Sequence, residues 1–226
     1  WLNWQTALGL MGLLCLFCAC GFLYLLRPSR HFVVKKGLNL NFHVQAWWSH
    51  LRNRSLLHLY ALGFVLTSIF VTLFNYITFR LDAAPYFLSQ TQISLIFLSY
   101  SLGMVSSSLA GRLAQRYGRQ SMIIGGFICM GLGIACTLAA NLWAIILGVA
   151  LITTGFFIAH ALCSALVGAA AQDIKGHATS LYLLFYYLGS SIIGSVGGWF
   201  WLHAGWLGVV LLAMLLVFAG IGLSLI

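Results

Sequence analysis

Long apolar runs separated by short polar segments dominate this chain. A helix that crosses a lipid bilayer needs roughly 20 predominantly apolar residues, and seven runs are long enough. They cover residues 5–26, 55–79, 90–112, 121–140, 142–164, 177–201 and 205–226. The pattern therefore predicts an all-α fold, a polytopic membrane bundle of seven transmembrane helices.

The polar connections between these runs alternate in charge: those after the odd-numbered runs are basic. Ten of the eleven lysines and arginines follow the first, third or fifth run, and only Arg80 follows an even-numbered one. Because basic connections are retained in the cytoplasm, we expect the N-terminal end of the chain outside and Ile226 inside.

The longest connection, residues 27–54, places aromatic residues among its cations. Phe42, Trp47 and Trp48 lie near Arg52 and Arg54, and rings beside arginines suit the headgroup layer of a membrane. This mixture predicts an interfacial helix, and an irregular solvated loop is the alternative.

Composition supports a membrane protein and narrows the partners. Apolar residues make up 62% of the chain and charged residues 6%, whereas soluble domains carry about a quarter charged residues. The net charge of +9 comes from cations beside apolar runs, which indicates membrane topology and excludes a nucleic-acid partner. All six cysteines fall inside apolar runs, so we expect small buried side chains, with no metal site, cofactor or catalytic residue.

A short basic turn between the third and fourth runs carries the most specific motif. Residues 111–120 read GRLAQRYGRQ and resemble the signature loop of the major facilitator superfamily, which those transporters carry between their second and third helices and, more weakly, between their eighth and ninth. Gln115 replaces the acidic residue of that motif. The positions that match are Gly111, Arg112, Arg116, Gly118 and Arg119. The resemblance implies a gating loop, and topogenic charges with turn glycines are the alternative.

The resemblance also implies an architecture. Residues 1–26 correspond to the sixth helix of a twelve-helix transporter, 27–54 to the central cytoplasmic loop, and 55–226 to the C-terminal six-helix half. Residues 155–160 and 180–191 resemble bacterial drug and sugar efflux members of the superfamily. The implied protein is not an enzyme. It is a multi-pass protein of the bacterial inner membrane, with the N-terminus of this chain periplasmic and its C-terminus cytoplasmic.

The function implied by the resemblance is secondary active transport, with proton-coupled efflux of small organic molecules by alternating access. Drugs, sugars or metabolites are the expected substrate class, and protons and the lipid bilayer are further partners. The missing N-terminal half would be required for activity. A seven-helix receptor, channel or scaffold is the alternative, although a retinal protein is excluded because residues 205–226 contain no lysine.

Polar residues inside the apolar runs are the candidates for contact with substrate or protons. Ser68, Thr72, Asn75 and Phe79 share one helical face, as do Thr153, Phe157, His160 and Ser164. By resemblance these runs are the seventh and tenth helices, which line the central cavity. The resulting candidate pathway comprises Thr72, Asn75, Tyr76, Thr153, His160 and Tyr186. Helix packing is the alternative role for them.

Two further patterns give weaker expectations. Arg80 and Asp82 predict an ion pair at the outer rim. Small residues recur every four positions, at Gly103, Ser107 and Gly111 and again at Ser190, Gly194 and Gly198. Such faces allow close helix packing, either against the N-terminal half or against a neighbour inside this bundle.

Overall fold

The computed structural model describes residues 3–26, 39–171 and 175–226 of the chain. These residues form two compact units, Trp1–Asn39 and Leu40–Ile226.

The first unit contains helix α1, Trp4–Leu25, which is long and apolar enough to cross a membrane. The side chain of Asn3 accepts a hydrogen bond from the backbone N–H of Thr6 at 2.8 Å and caps the helix. No residue of α1 is buried. Three cysteines that we expected to be buried, Cys15, Cys18 and Cys20, are therefore exposed.

The second unit is an all-helical bundle. Its helices are α2, Leu40–Arg52; α3, Arg54–Asp82; α4, Gln90–Ile96; α5, Tyr100–Tyr117; α6, Arg119–Cys136; α7, Leu142–Ala170; and α8, Lys175–Ser224. A 3-10 turn, Phe97–Ser99, joins α4 to α5, and together they are long enough for one membrane crossing. In the described part of the chain, α1 and five segments of this unit meet the length and hydropathy required to cross a membrane.

Helix α8 is a hairpin rather than one 50-residue rod. At Gly205 the backbone leaves the helical region, with φ +57° and ψ −145°. The ring of His58, near the start of α3, bonds to the carbonyl oxygen of Leu223, whereas Arg80, near the end of α3, lies over the ring of Trp206. The second arm, 206–224, thus returns along α3, and the predicted count of seven crossings is confirmed.

Polar caps explain where several helices begin. The Asn53 side chain accepts hydrogen bonds from the backbone of Ser55 and Leu56 at the start of α3, and Asn141 caps α7 in the same way. Ser89 and Gln92 form a capping box at α4. These side chains satisfy backbone N–H groups that have no partner within the helix.

Helices α6 and α7 pack backbone against backbone through paired glycines. A Cβ atom added at Gly133 would lie 2.6 Å from the carbonyl oxygen of Gly148, and one added at Gly148 would lie 2.5 Å from that of Gly133. Gly126 and Gly155 repeat the same reciprocal contact one heptad away. Only glycine allows this separation, because any Cβ would overlap a neighbouring backbone atom.

The small residues of α8 pack inside this bundle. Added Cβ atoms at Gly194 and Gly198 would meet Val71 and Tyr76 of α3, and Gly103 of α5 faces the Phe157 ring of α7. Of the two predicted packing partners, the N-terminal half or a neighbouring helix of this bundle, the neighbouring helix is therefore correct for these three glycines. Ser107 is half-buried and Gly111 is exposed, and a Cβ at Gly111 would meet no atom within 4 Å.

The basic turn is shorter than the sequence predicted. Helix α5 continues to Tyr117 and α6 begins at Arg119, so the predicted boundaries at residues 112 and 121 are wrong. Only Gly118 departs from helical geometry, with φ +88° and ψ 145°. The prediction was based on the apolar runs alone. Both helices continue past the ends of those runs into polar sequence.

The predicted helix in the central connection is confirmed as α2, which packs on the rest of the second unit. Nδ1 of His43 lies 2.7 Å from Nε2 of His177, and the two rings stack with centroids 5.0 Å apart. The Trp47 indole donates to the Ser180 hydroxyl at 3.3 Å. These contacts join α2 to the first turns of α8. The position of α2 in the headgroup layer stays a prediction.

Candidate substrate and coupling site

The most concentrated group of polar and aromatic side chains lies between α7 and α8. Nδ1 of His160 is 3.0 Å from the hydroxyl oxygen of Tyr182, and the His160 and Tyr186 ring centroids are 5.0 Å apart. Tyr182 is 1% exposed, whereas His160 and Tyr186 are half-buried. The arrangement combines a group that can bind a proton with a hydroxyl partner and a partly accessible phenol.

An aromatic wall continues from this group into α3 and α5. The Phe156 ring stacks parallel on His160 at 5.4 Å and on Phe70 at 4.1 Å. Phe74 in turn stacks on Tyr100 at 4.9 Å. These stacked rings bury apolar area; Phe70, Phe74 and Phe156 are buried, and Tyr100 is the exposed ring of the series.

The predicted polar residues of α3 form a second group, against the first arm of α8. The Tyr76 hydroxyl donates to the carbonyl oxygen of Gly194 at 2.8 Å, and Asn75 beside it is exposed. Thr72 is fully buried; its methyl group faces Gly197, and its hydroxyl oxygen has no hydrogen-bond partner. Of these three residues, Asn75 alone is exposed to contact a solute.

Thr153 does not join either group. It is fully buried in α7 and its hydroxyl donates to the carbonyl oxygen of Val149 at 2.9 Å, within its own helix. A hydroxyl used in this way leaves no donor for a substrate. Thr153 and His160 do share one face of α7, as the sequence predicted. Their side chains nevertheless have different environments.

The two polar groups lie at different depths in the bundle. Tyr182, the partner of His160, packs on Gly63 of α3, whereas Tyr76 lies thirteen residues further along the same helix. At 1.5 Å per residue, this separation is about 20 Å along α3. The six predicted pathway residues therefore do not form one site.

Tyr182 is the residue that the candidate pathway omitted. The candidate pathway includes Tyr186, which lies one helical turn from Tyr182 on the same face of α8. The signal that relates Tyr182 to His160 is symmetry about the connection: each residue is eleven positions from residue 171. Antiparallel helices joined by a short connection bring such equidistant positions together.

The residues of the basic turn lie on the surface of the bundle. Arg112, Arg116 and Arg119 are exposed, and the Arg116 guanidinium lies over the ring of Tyr117 at 5.3 Å. The side chain of Gln120 donates to the carbonyl oxygen of Ser224 at 2.7 Å, which fastens the start of α6 to the end of α8. A cavity of about 310 Å³ lies beside the turn, lined in part by Gly111, Gln115 and Arg119.

Arg80 has a different partner from the one we expected. Its guanidinium donates to the carbonyl oxygens of Thr137 and Ala139, at 2.9 Å for Ala139, and lies over the ring of Trp206 at 5.2 Å. The predicted ion pair with Asp82 is absent from the described part of the chain. Carbonyl groups at the end of a helix lack partners within it, and Arg80 satisfies them.

Comparison with known proteins adds to this geometry. Residues 80–226 match the Major Facilitator Superfamily, and this match covers more than half of the chain. The chain belongs to the major facilitator superfamily. It is thus a multi-pass membrane protein of a transporter family, in agreement with the motif in the basic turn.

Individual relatives extend the similarity over nearly all of the chain. The inner membrane transport protein YnfM of Escherichia coli (strain K12) is 42% identical over 222 residues, which are 96% of this chain and 52% of that protein. The uncharacterized MFS-type transporter YybF of Bacillus subtilis (strain 168) is 40% identical over 224 residues, 99% of this chain and 55% of that protein.

A third relative gives the same picture. An uncharacterized transporter of Buchnera aphidicola subsp. Schizaphis graminum (strain Sg) is 39% identical over 223 residues, which are 99% of this chain and 54% of that protein. The chain spans about half the length of the curated relatives that it matches.

Proposed function

We propose that this chain is the C-terminal part of a secondary active transporter that exports small organic molecules in exchange for protons. The observation that carries the proposal is the His160–Tyr182–Tyr186 group, because it places a titratable ring beside two phenols within an apolar membrane bundle. Ionisable residues inside a membrane are costly, so they are retained mainly where they serve a function.

The substrate class follows from the surroundings of that group. Of the aromatic rings around it, Tyr100 is exposed and Phe157 and Tyr186 are half-buried, and polar donors are few. Such a site favours an organic molecule with an apolar or aromatic body and one or two polar groups. Drugs, sugars and other metabolites are the candidates, and the aromatic wall favours the more apolar of them.

Transport by alternating access requires a second half. Superfamily members pair two six-helix repeats around a central site, and this chain matches about half the length of its relatives. The surface formed by Asn75 and Phe79, in the last turns of α3, is exposed in the isolated chain, and we refer to it as the Asn75 face. In the proposed transporter this face borders the central cavity, with the basic turn cytoplasmic in the inner membrane.

The test is efflux from cells that express this chain together with the N-terminal half. We expect export of a fluorescent dye only when both halves are present, loss of export when an uncoupler collapses the proton gradient, and strong impairment by His160→Ala. His203→Ala is the matched control, because His203 is exposed on α8 and bonds only to the carbonyl oxygen of Trp199.

Other outcomes would separate the alternatives. Flux that does not saturate with dye concentration, or that occurs with this chain alone, would indicate a channel. Export that persists after uncoupling would overturn proton coupling. Absence of any flux with both halves present and correctly inserted would favour a receptor or scaffold.

A further inference from the structure

A second candidate binding site lies at the basic end of the bundle, one to two helical turns beyond the level of His160. It is a cavity of about 600 Å³ between the start of α3 and the end of α7. Arg54, Ser55 and His58 contribute its polar lining, and Leu59 and Leu166 contribute apolar walls. The transport proposal does not use this cavity.

The polar lining consists of groups that can donate hydrogen bonds. Arg54 and His58 are one helical turn apart on α3, so they share a face, and Ser55 borders them. In the described part of the chain the Arg54 guanidinium and the Ser55 hydroxyl have no hydrogen-bond or ionic partner. His58 bonds through Nε2 to the carbonyl oxygen of Leu223, so this nitrogen carries a proton.

None of the described side chains that line this cavity is a carboxylate. Asp82 is the acidic residue in the described part of the chain, and it lies at the far end of α3, 28 residues from Arg54. That separation is about 42 Å along the helix. Asp173 lies outside the described residues and is followed two positions later by Lys175. The lining therefore favours an anion.

The order of the lining residues along the helices further restricts the chemical class of the ligand. Arg54 and Ser55 are in the first turn of α3, and Leu59 is one turn deeper. On α7, Leu166 is likewise one turn deeper than Ala170. The cavity is thus cationic at its rim and apolar below, which complements a phosphate headgroup attached to acyl chains. A free phosphate would use only the rim.

We propose that this cavity binds an anionic phospholipid of the inner leaflet, with its phosphate held by the Arg54 guanidinium and the Ser55 hydroxyl. Basic pockets between transmembrane helices on the cytoplasmic side are suited to such headgroups. The acyl chains follow Leu59 and Leu166 into the bilayer. A lipid at this position bridges α3 and α7, and the contact of His58 with Leu223 extends the bridge to α8.

The test is native mass spectrometry of the whole transporter in mild detergent, titrated with phosphatidylglycerol or phosphatidylcholine. We expect one phosphatidylglycerol to be retained in preference to phosphatidylcholine. Arg54→Gln should weaken its binding about fivefold, since the cationic donor of the lining is lost. Arg54→Lys should restore most of the affinity.

Arg52→Gln provides the matched control. Arg52 is two positions before Arg54 and its guanidinium lies over the ring of Trp48 at 5.1 Å, but it does not line the cavity. Its loss should leave phosphatidylglycerol binding unchanged. Equal weakening by Arg52→Gln would show diffuse surface attraction and overturn the site.

Two more results would overturn the proposal. Equal retention of phosphatidylcholine would remove the selectivity for an anionic lipid. Displacement of phosphatidylglycerol by inorganic phosphate would assign the site to a free anion. The readout is lipid retention and not transport, so failure here is distinguishable from failure of the proposed efflux function.

Discussion

His160 and Tyr182 are joined by a hydrogen bond of 3.0 Å between Nδ1 and the phenol oxygen, across the interface of α7 and α8. The tyrosine is almost completely buried and packs on Gly63 of α3. The Tyr182 side chain thus connects the His160 ring, which can bind a proton, to α8 and α3. Any change in the protonation of His160 would act directly on this interface.

The energetic value of that bond can be measured by a double-mutant cycle. Tyr182→Phe removes the hydroxyl but keeps the packed ring, so we expect it to lower stability by about 0.5–1.5 kcal/mol. In a His160→Ala background the same change should cost less, because the partner is already gone. Thermal unfolding of the whole transporter in detergent measures both. Additive effects would mean that the two side chains are not coupled.

The glycine contact between α6 and α7 predicts a large effect from one methyl group. Gly148→Ala places Cβ 2.5 Å from the carbonyl oxygen of Gly133, and we expect a loss of about 1–3 kcal/mol because the helices must separate. Gly125→Ala is the control, since no atom lies within 4 Å of its added Cβ. That variant should be neutral or slightly stabilising in an unfolding assay. Similar effects of the two substitutions would argue against close packing.

The basic turn predicts different roles for its two glycines. Gly118 has φ +88° and ψ 145°, a conformation that is strained for other residues, so Gly118→Ala should lower stability by about 1–3 kcal/mol. Gly111 lies within α5 in open space, and Gly111→Ala should not destabilise the fold. Chemical unfolding of both variants tests this, and equal loss at Gly111 would mean that an unseen contact requires glycine there.

The contact of α2 with α8 should depend on pH. The 2.7 Å approach of His43 to His177 needs one ring nitrogen to accept a hydrogen bond, and two protonated rings have no acceptor. The contact is therefore lost once acidification has protonated both rings. The buried His50 is a further titratable group on α2.

Hydrogen exchange of the α2 amides, corrected for intrinsic rates, measures this dependence. Protection of residues 40–52 should fall as the pH is lowered from neutral. In His177→Gln the remaining dependence should be much smaller, because only one ring of the pair can titrate. An unchanged dependence in that variant would assign the effect to His50 or to another part of the chain.

The sequence by itself determined the fold class, the number of transmembrane helices and the resemblance to the superfamily. Hydropathy does this because each membrane segment must satisfy its own backbone hydrogen bonds. Even the turn at Gly205, which divides α8, was predicted from the end of one apolar run and the start of the next. The boundaries near Gly118 were wrong because α5 and α6 continue beyond the apolar runs into polar sequence.

Only the tertiary structure decided which side chains meet. Helical periodicity groups Thr153 with His160, but it does not say that one bonds within its own helix while the other bonds to Tyr182. Apolar residues that face lipid and those that face another helix are chemically alike, so sequence does not distinguish them. Close helix packing made that distinction, and it also gave Arg80 the carbonyl oxygens of α6 in place of Asp82.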